Sequence, residues 1–512
     1  MILAPIDYVI VAIYLIGILF LGIYLSRYIR SSSDYFLAGR MLPFWAIGMS
    51  IVVTDIGATD MVGLAGQAYR YGIAVANFDW LGSFPAMVIA AFVFIPYYWR
   101  AGIYTIPEYL GRRFNTTVRT TQSVIWILFI ALDLGVIFYA SGLLLQQLMG
   151  MDYWTAVIMT ATIIGIYTYC GGLSAVVLTD VVQLVIMFVG AVAIIILGLW
   201  EVGGWNGLVN TIHGMGPEYS NHFNLLLPAD TKTPYPWTGI LFGLGFVMSI
   251  AYFVGNQTIV QRTLGAKSEW DAKASMLFGA LFKALIPVLV ITPGLIGLAL
   301  LGGAVEDGDT VIPALIGKLL PPGMAGLMFV AFLAALMSSI DSLLNSVAVL
   351  WTKDIYEKFI RPQASDKELL YVGRIFILVL LVFAVRTSTL SQQFEGMYTF
   401  IQTLFSFFQG PTLAILLLGI FWKRCAPWGA FIGLVSGICS AGLMHYHKAS
   451  LFTISDPFLF VSFWSFLVGF VVTIVASLFT APRPDKELYG LVYGMVMEDE
   501  QAQQALKEQA HD

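Results

Sequence analysis

Charged residues are scarce in this sequence. Lysine, arginine, aspartate and glutamate make up 11% of its 512 residues, whereas about 25% is usual in soluble proteins. There are only three cysteines, too few to suggest a disulfide framework or a cysteine-rich metal cluster. Of the five histidines, only His445 and His447 lie close together, so we expect no histidine-based metal centre. These shortages exclude an ordinary soluble protein, and no nucleic-acid partner is expected.

Long apolar runs dominate the rest of the chain. Hydrophobic residues form 59% of it, and there are 13 tryptophans. Because a helix needs about 20 apolar residues to cross a bilayer, we expect an all-α polytopic membrane protein with about thirteen transmembrane helices. The expected spans are 6–28, 43–68, 76–98, 121–149, 152–170, 176–201, 235–256, 274–302, 322–350, 370–387, 396–421, 427–446 and 456–480.

The lysines and arginines predict the orientation, because basic residues collect on the cytoplasmic side of a membrane protein. With these spans, 20 of the 26 basic residues fall in segments on one face, among them Arg113 and Arg262. Lys283 alone lies deep within a span, since Arg27, Arg374 and Arg386 stand near the ends of theirs. We therefore expect a plasma (inner) membrane protein with its N-terminus outside and its C-terminus in the cytoplasm.

Two of the spans carry polar residues and glycine where a plain anchor would be apolar. In the second span these residues form the run from Thr54 to Asp60. In the seventh span they are Gly243, Gly245, Ser249 and Tyr252, followed by Gly255, Asn256 and Gln257. Unwound backbone at membrane depth is tolerated only beside a protein-lined cavity, where freed carbonyls can bind a cation. Both helices are therefore expected to be broken.

The distance between these two spans predicts the organisation of the domain. They are five spans apart, as expected if residues from about 43–201 and from about 235–421 form two inverted five-helix repeats. We expect one transmembrane domain over residues 1–480 and a cytoplasmic tail over residues 481–512.

The ninth span contains a cluster of oxygen-bearing side chains in the run from Ala334 to Ser342. Hydroxyl and carboxyl groups are costly in hydrocarbon unless something polar occupies them, so they mark a substrate or ion path. Oxygen ligands suit a hard cation such as sodium. The cluster therefore predicts an ion site inside the membrane.

Three further polar residues have two interpretations each. Lys283 either extends to the cytoplasmic interface or faces an internal cavity and pairs with a carboxylate. Asp79 is either an interfacial residue in an aromatic belt or an acceptor for two sugar hydroxyls beside aromatic rings. Gln402 is either a contact between helices or a donor and acceptor for a substrate hydroxyl. The candidate partners of Lys283 are Asp55, Asp60, Asp79, Asp133, Asp180 and Asp341.

Four stretches of the sequence are more specific than any single short motif. They are Tyr104 to Tyr109 with Arg112 and Arg113, Tyr167 to Ala175 followed by Thr179 and Asp180, Asn256 and Gln257 with Val260, Gln261 and Arg262, and Ala335 to Ser346. Together they resemble the sodium/solute symporter family, in its sodium/sugar cotransporter branch, over nearly the whole chain. The resemblance implies a LeuT-like core of inverted five-plus-five helix repeats with extra flanking helices, and sodium-driven uptake by alternating access.

The resemblance also implies the site residues. The principal sodium site would comprise Val53, Ile56, Ala335, Ser338 and Ser339, through backbone carbonyls and the two serine hydroxyls. A second sodium site would comprise Asp180, Ser338, Asp341 and Ser342. The substrate site would comprise Asp60, Asp79, Ser249, Lys283 and Gln402, with Phe78, Tyr252, Phe253 and Tyr398 as gates or stacking platforms.

Four positions depart from the family pattern, including Asp79, which is one methylene shorter than the glutamate common there. Asp341 replaces a usual hydroxyl residue and either strengthens a second sodium site, binds a proton or pairs with a basic residue. Asp60 replaces an amide or histidine, and Gly82 replaces a small hydroxyl residue, so the identity of the sugar stays open.

The expected function is a sodium-coupled secondary active symporter that imports a neutral sugar or polyol, with sodium as the co-transported ion. The alternative is a symporter of the same fold for an amino acid or a carboxylate, although the acids at positions 60 and 79 argue against an anionic substrate. An enzyme is not expected, because Asp180 and Asp341 lack a recognisable hydrolase pattern.

Overall fold

The computed structural model describes residues 3–27, 31–302, 305, 308–393, 397–454 and 456–495. Within those ranges the secondary structure is helical, with no named β-strand and two isolated bridges, Leu42 with Ala266 and Leu227 with Pro236. The prediction of an all-α membrane protein is confirmed.

The first half of the chain forms nine helices in the described residues. They are α1 (Pro5–Ser26), α2 (Ser32–Leu37), α3 (Phe44–Asp55), α4 (Ala58–Tyr71), α5 (Phe78–Arg100), α6 (Ile106–Arg113), α7 (Thr116–Met149), α8 (Tyr153–Glu201) and α9 (Gly204–Gly214). Within α8, Gly172 has φ +55°, and a Cβ there would lie 2.8 Å from the backbone oxygen of Tyr35. Only glycine combines this backbone conformation with that close approach, so Gly172 divides α8 into two arms.

The second half forms ten helices in the described residues. They are α10 (Gly239–Gly255), α11 (Gln257–Leu264), α12 (Glu269–Leu301), α13 (Val311–Leu319), α14 (Met324–Ile360), α15 (Asp366–Thr387), α16 (Met397–Phe421), α17 (Pro427–Tyr446), α18 (Lys448–Leu451) and α19 (Phe458–Phe479).

Helices long and apolar enough to cross a membrane number nine in the described residues, or up to 11 if each bent pair is one span. Pro5–Leu21 and Tyr153–Ile166 are apolar but shorter than the others. The structure therefore supports a multi-pass membrane protein, and the count of thirteen spans stays a prediction.

Both predicted helix breaks are present. The axes of α3 and α4 differ by 54°, and those of α10 and α11 differ by 50°. The first break lies at Ile56 and Gly57, within the predicted run. The second lies at Asn256, whose side-chain oxygen accepts a hydrogen bond from the Thr258 backbone N–H at 2.9 Å and so caps α11.

The helix α14 lies at the centre of the bundle. In its most apolar stretch 94% of the residues are buried, compared with 33% in that of α17. It packs against α3, α7 and α8, whereas α17 packs mainly against α16 and α19. The polar residues of α14 therefore face other helices rather than lipid.

The described start of the predicted tail packs against the helices. Tyr109 donates its hydroxyl hydrogen to the Leu491 carbonyl at 2.6 Å, and the Tyr493 backbone N–H donates to the Ile420 carbonyl at 2.8 Å. Residues 496–512 of the predicted tail lie outside the described residues.

Candidate functional site

A polar cavity opens beside the first helix break, between α3, α4, α5, α7, α10, α12, α14 and α16. All nine residues predicted for the substrate site and its gates line it: Asp60, Phe78, Asp79, Ser249, Tyr252, Phe253, Lys283, Tyr398 and Gln402. They come from several helices far apart in sequence. The fold therefore brings the predicted substrate residues into one place.

Lys283 is buried in the wall of this cavity. Its Nζ lies 2.5 Å from Asp55 Oδ2 and 2.5 Å from Asp79 Oδ1, so one ammonium bridges two carboxylates. The side chain of Lys283 is 6% exposed, which excludes the alternative that it extends to the cytoplasmic interface. Asp79 Oδ1 is engaged with Lys283, and the Asp79 carboxylate also faces the cavity.

Aromatic rings flank the cavity in two groups. At the start of α5 and of α16, Phe78 and Tyr398 meet edge to face, with ring centroids 5.3 Å apart. Further along, Tyr252 meets Phe253 at 5.3 Å and Phe405 at 5.4 Å. Rings in these positions can cover an apolar face of a bound solute or close the cavity on either side.

The five residues predicted for the principal sodium site lie where α3 ends against α14. Ser339 Oγ donates to the Thr54 backbone carbonyl at 3.2 Å, which joins the two elements directly. Ala335, Ser338 and Ser339 share one face of α14, because residues three and four apart are neighbours on a helix.

The Val53 carbonyl near the end of α3 is available for a ligand. The last four carbonyls of a helix have no intrahelical donor, and α3 ends at Asp55, so Val53 is among these positions. Ile56, at φ −97° and ψ 67°, has left the helical conformation. The serines of α14 are buried, with Ser338 at 0% and Ser339 at 4% exposure. This arrangement can present several oxygens to a small cation.

The residues predicted for a second sodium site also lie together. Asp180 Oδ1 accepts a hydrogen bond from Ser338 Oγ at 2.5 Å. Ser342 Oγ lies 3.1 Å from Asp341 Oδ1 and donates to the Ser338 carbonyl at 2.5 Å.

A guanidinium group occupies this second group of oxygens. Arg262 Nη2 lies 3.4 Å from Asp180 Oδ2, and the same nitrogen donates to the Ser342 hydroxyl. Arg262 also donates to Ser50 Oγ and to Thr54 Oγ1, each at 2.6 Å. A cation supplied by the protein therefore already neutralises Asp180 in this conformation.

Two arginines counted as loop charges in the sequence are buried instead. Arg262 is 1% exposed, and Arg113 is 0% exposed. Arg113 donates to the backbone carbonyls of Gly419, Trp422 and Cys425. The sequence does not predict this burial, which is possible because the five donors of a guanidinium are satisfied by helix-end carbonyls around Arg113 and by hydroxyl and carboxylate groups around Arg262.

Several polar residues of the cavity were not assigned to the site from sequence, among them Asp133, Thr258 and Gln409. Asp133 of α7 was considered only as a partner for Lys283, and Thr258 and Gln409 were not singled out. Asp133 and Gln409 each carry a polar group within an apolar helix, which is the signal that could have found them. Thr258 lies among other polar residues of α11 and gives no such signal. The sequence does not show which face of the helix each group occupies.

Gly82, which departs from the family pattern, has a clear steric role. A Cβ at this position would lie 2.5 Å from Ser249 Oγ, closer than a van der Waals contact. Glycine at position 82 therefore makes room for the Ser249 hydroxyl at the cavity wall.

Broken helices around a polar cavity within a helical bundle define a secondary transporter. The profile of the sodium:solute symporter family matches residues 35–437. This chain belongs to the sodium:solute symporter family.

Relatives of known name cover most of the chain. It is 32% identical to a sodium/glucose cotransporter of Vibrio parahaemolyticus over 94% of this chain and 92% of that protein. It is 31% identical to sodium/glucose cotransporter 1 of Oryctolagus cuniculus, over 96% and 81% of the two chains. It is 33% identical to sodium/myo-inositol cotransporter 2 of the same animal, over 85% and 69%.

Solved structures share the fold. A Na+-coupled sialic acid symporter in a substrate-bound outward-open state superposes with a TM-score of 0.84 at 24% identity, over 94% of this chain and 99% of that one. A transporter of the nucleobase-cation-symport-1 family in a closed conformation superposes with a TM-score of 0.56 at 15% identity, over 86% and 92%. These likenesses support the fold alone.

Proposed function

We propose that this protein is a sodium-coupled symporter that imports a neutral sugar or polyol by alternating access. Its relatives named above are cotransporters of sodium with glucose or myo-inositol. The observation that carries the proposal is the position of Ser339, which bonds to the broken helix at Thr54 and also lines the cavity. One side chain thus touches both the proposed ion site and the proposed sugar site.

The proposed sodium ion binds between α3 and α14, at the backbone carbonyls of Val53, Ile56 and Ala335 and the hydroxyls of Ser338 and Ser339. Neutral oxygens suit a monovalent cation that must also leave during each cycle. Sodium there ties the broken helix to α14 and favours the conformation that accepts the sugar.

A second sodium ion at Asp180, Ser338, Asp341 and Ser342 requires a different conformation. The Arg262 guanidinium bonds to Asp180 and Ser342, and a sodium ion competes with it for the same oxygens. We propose that sodium enters this second site only when Arg262 moves away.

The proposed sugar lies in the cavity, where each hydroxyl group finds a donor or acceptor. Asp60 and Asp79 accept hydrogen bonds, Lys283 donates them, and Ser249 and Gln402 do both. Phe78, Tyr252, Phe253 and Tyr398 cover the apolar face of the ring and act as gates. The two proposed inverted repeats, about 43–201 and 235–421, move relative to each other within one domain over residues 1–480.

The proposed orientation places the N-terminus outside and the C-terminus in the cytoplasm. Sodium then enters from outside, down its gradient and the membrane potential. At 100 mV, each positive charge that moves inward releases about 2.3 kcal/mol, which corresponds to accumulation of a neutral sugar by roughly fifty-fold.

The test is uptake of labelled sugars and inositols into proteoliposomes with an imposed sodium, lithium or proton gradient. We expect accumulation with the sodium gradient and competition by unlabelled sugars rather than by amino acids or carboxylates. Ser339→Ala should need a higher sodium concentration for half-maximal uptake. Ser440→Ala on α17, whose hydroxyl donates to the Gly437 carbonyl of its own helix, serves as the control. Uptake that ignores the sodium gradient would falsify the proposal.

A further inference from the structure

The cavity contains more acidic groups than basic ones. Four carboxylates line it, from Asp55, Asp60, Asp79 and Asp133, and Lys283 is the single lysine or arginine among the lining residues that the structure describes. A neutral sugar adds no charge to this arrangement. The excess of carboxylates therefore bears on the charge of the solute that the cavity binds.

The one ammonium group is already committed. Lys283 Nζ contacts Asp55 and Asp79 at 2.5 Å each. Arg262, the neighbouring buried cation, is bonded to Asp180, Ser50, Thr54 and Ser342 instead. Neither cation contacts Asp60 or Asp133.

Asp60 and Asp133 make no side-chain hydrogen bond or ion pair with any residue in the described part of the chain. Asp133 is 9% exposed, and both carboxylates line the cavity. They line it from α4 and α7, two helices that pack against each other. Two such carboxylates without a partner are costly in a membrane interior unless a positive group or a proton joins them.

Two other buried groups in the cavity wall also lack a partner among the described residues. Gln409 is 2% exposed and its Oε1 accepts no hydrogen bond, and Thr258 is 2% exposed with its Oγ1 unbonded. Both residues line the same cavity. A carbonyl oxygen of this kind accepts a hydrogen bond from an N–H group of a ligand.

We propose that the cavity also accepts a sugar carrying a protonated amino group, and that it prefers this amino sugar to the neutral sugar of the same ring. The ammonium group lies against Asp60 and Asp133, with Gln409 as a further acceptor, while the hydroxyl groups use Asp79, Ser249 and Gln402. This inference rests on the proposed function, because it assumes that the cavity is the sugar site.

The experiment compares three hexoses in proteoliposomes under one sodium gradient at about pH 6.5, where a primary amine is protonated. Glucosamine carries the positive charge, N-acetylglucosamine has the same nitrogen without the charge, and glucose has a hydroxyl group there. We expect glucosamine to compete for uptake about tenfold or more better than either neutral sugar. Glucosamine should also carry one more positive charge per molecule than glucose, as measured by the current.

Variants locate the preference. Asp133→Asn should reduce the preference for glucosamine while uptake of glucose continues, and Asp133→Glu should keep the preference. Asp60→Asn should also reduce the preference, together with weaker uptake of glucose, because Asp60 accepts hydrogen bonds from both sugars. Asp230→Asn, in an exposed loop, should behave as the unchanged protein. The wild-type comparison of the three sugars needs no variant, so poor folding of a variant leaves the test intact.

The outcomes separate the two proposals. If no sugar enters in a sodium-dependent way, the proposed function fails. If glucose and N-acetylglucosamine enter with sodium and glucosamine has no advantage, the proposed function stands and this inference fails. Uptake of glucose accompanied by a stoichiometric proton, or by a sodium ion whose entry depends on Asp60 or Asp133, also overturns the inference, because the carboxylates then hold that ion.

Discussion

Two buried cations near the first helix break are paired in very different ways. Arg262 reaches one carboxylate, three hydroxyls and a backbone carbonyl, and its side chain is 1% exposed. Lys283 reaches two carboxylates at the wall of a cavity whose other acids have no partner among the described residues. The Arg262 network is complete without a ligand, whereas the Lys283 network is not.

The difference separates a structural role from a binding role. A buried polar network with all members bonded holds helices in one arrangement, and removing one member leaves an uncompensated charge. A network that opens to a cavity has acceptors left for a solute. We therefore expect changes at Arg262 to act first on stability and changes at Lys283 to act first on transport.

The largest expected effect follows Arg262→Gln. Asp180 then loses its cation inside the protein, and breaking a buried ion pair from one side costs about 3–5 kcal/mol. Thermal unfolding of the purified protein should show this loss of stability. The double variant Arg262→Gln with Asp180→Asn should recover part of it, and a cycle without such recovery would contradict the assignment of the pair.

A smaller effect on stability and a large one on transport are expected for Lys283→Met. Removing the ammonium leaves Asp55 and Asp79 facing each other and removes a charged donor from the sugar site. We expect the affinity for sugar to fall about tenfold to hundredfold, since hydrogen bonds to charged groups are the strong ones. Sugar uptake at several concentrations measures it. Lys283→Arg is the control that keeps the charge, and a Lys283→Met variant with unchanged uptake would remove Lys283 from the site.

Gly82→Ala tests the cavity at an uncharged position and so complements the comparison of Arg262 with Lys283. The added Cβ would lie 2.5 Å from Ser249 Oγ, and overpacking of this kind costs about 1–3 kcal/mol. We expect weaker sugar uptake with little change in the sodium dependence, because Ser249 lines the cavity. Combining it with Ser249→Ala, which removes the opposing hydroxyl, should relieve the crowding. A sodium dependence that shifts as much as the sugar affinity would show that the two sites are not separate.

The smallest expected effect is that of Arg100→Gln. Arg100 pairs with Glu269 at 2.6 Å, but its side chain is 55% exposed. Exposed pairs contribute about 0.2–1 kcal/mol, so both unfolding and uptake should change little. A loss of stability as large as that expected for Arg262→Gln would mean that burial does not decide the role of an ion pair in this protein.

The sequence predicts the helix breaks well, because a run of glycine and polar residues at membrane depth is tolerated where a helix unwinds beside a cavity and seldom elsewhere. It also predicts which residues share the cavity, through the family resemblance that links Asp79, Lys283 and Gln402. It does not predict that Arg262 is the partner of Asp180. That pairing depends on where the short helix α11 lies against α3, α8 and α14, and an arginine near a loop has the same local pattern as a cytoplasmic charge.

The role of Asp133 is not predicted from the sequence for a similar reason. In sequence it is a single carboxylate in a long apolar helix, equally suited to pair with Lys283 or with nothing. The structure shows that Lys283 is already shared by Asp55 and Asp79. Which acid remains without an ion pair therefore depends on how four helices pack together, namely α3, α5, α7 and α12.

The most direct test of the coupling between the α3–α14 junction and the cavity is the sodium affinity of the purified protein with and without the transported sugar. Two sites joined through Ser339 must influence each other reciprocally, and couplings of this kind are about 5- to 150-fold. We predict that sugar tightens sodium binding, that sodium tightens sugar binding by the same factor, and that Ser339→Ala weakens sodium binding. A sodium affinity that is the same with and without sugar, and the same in Ser339→Ala, would contradict the account.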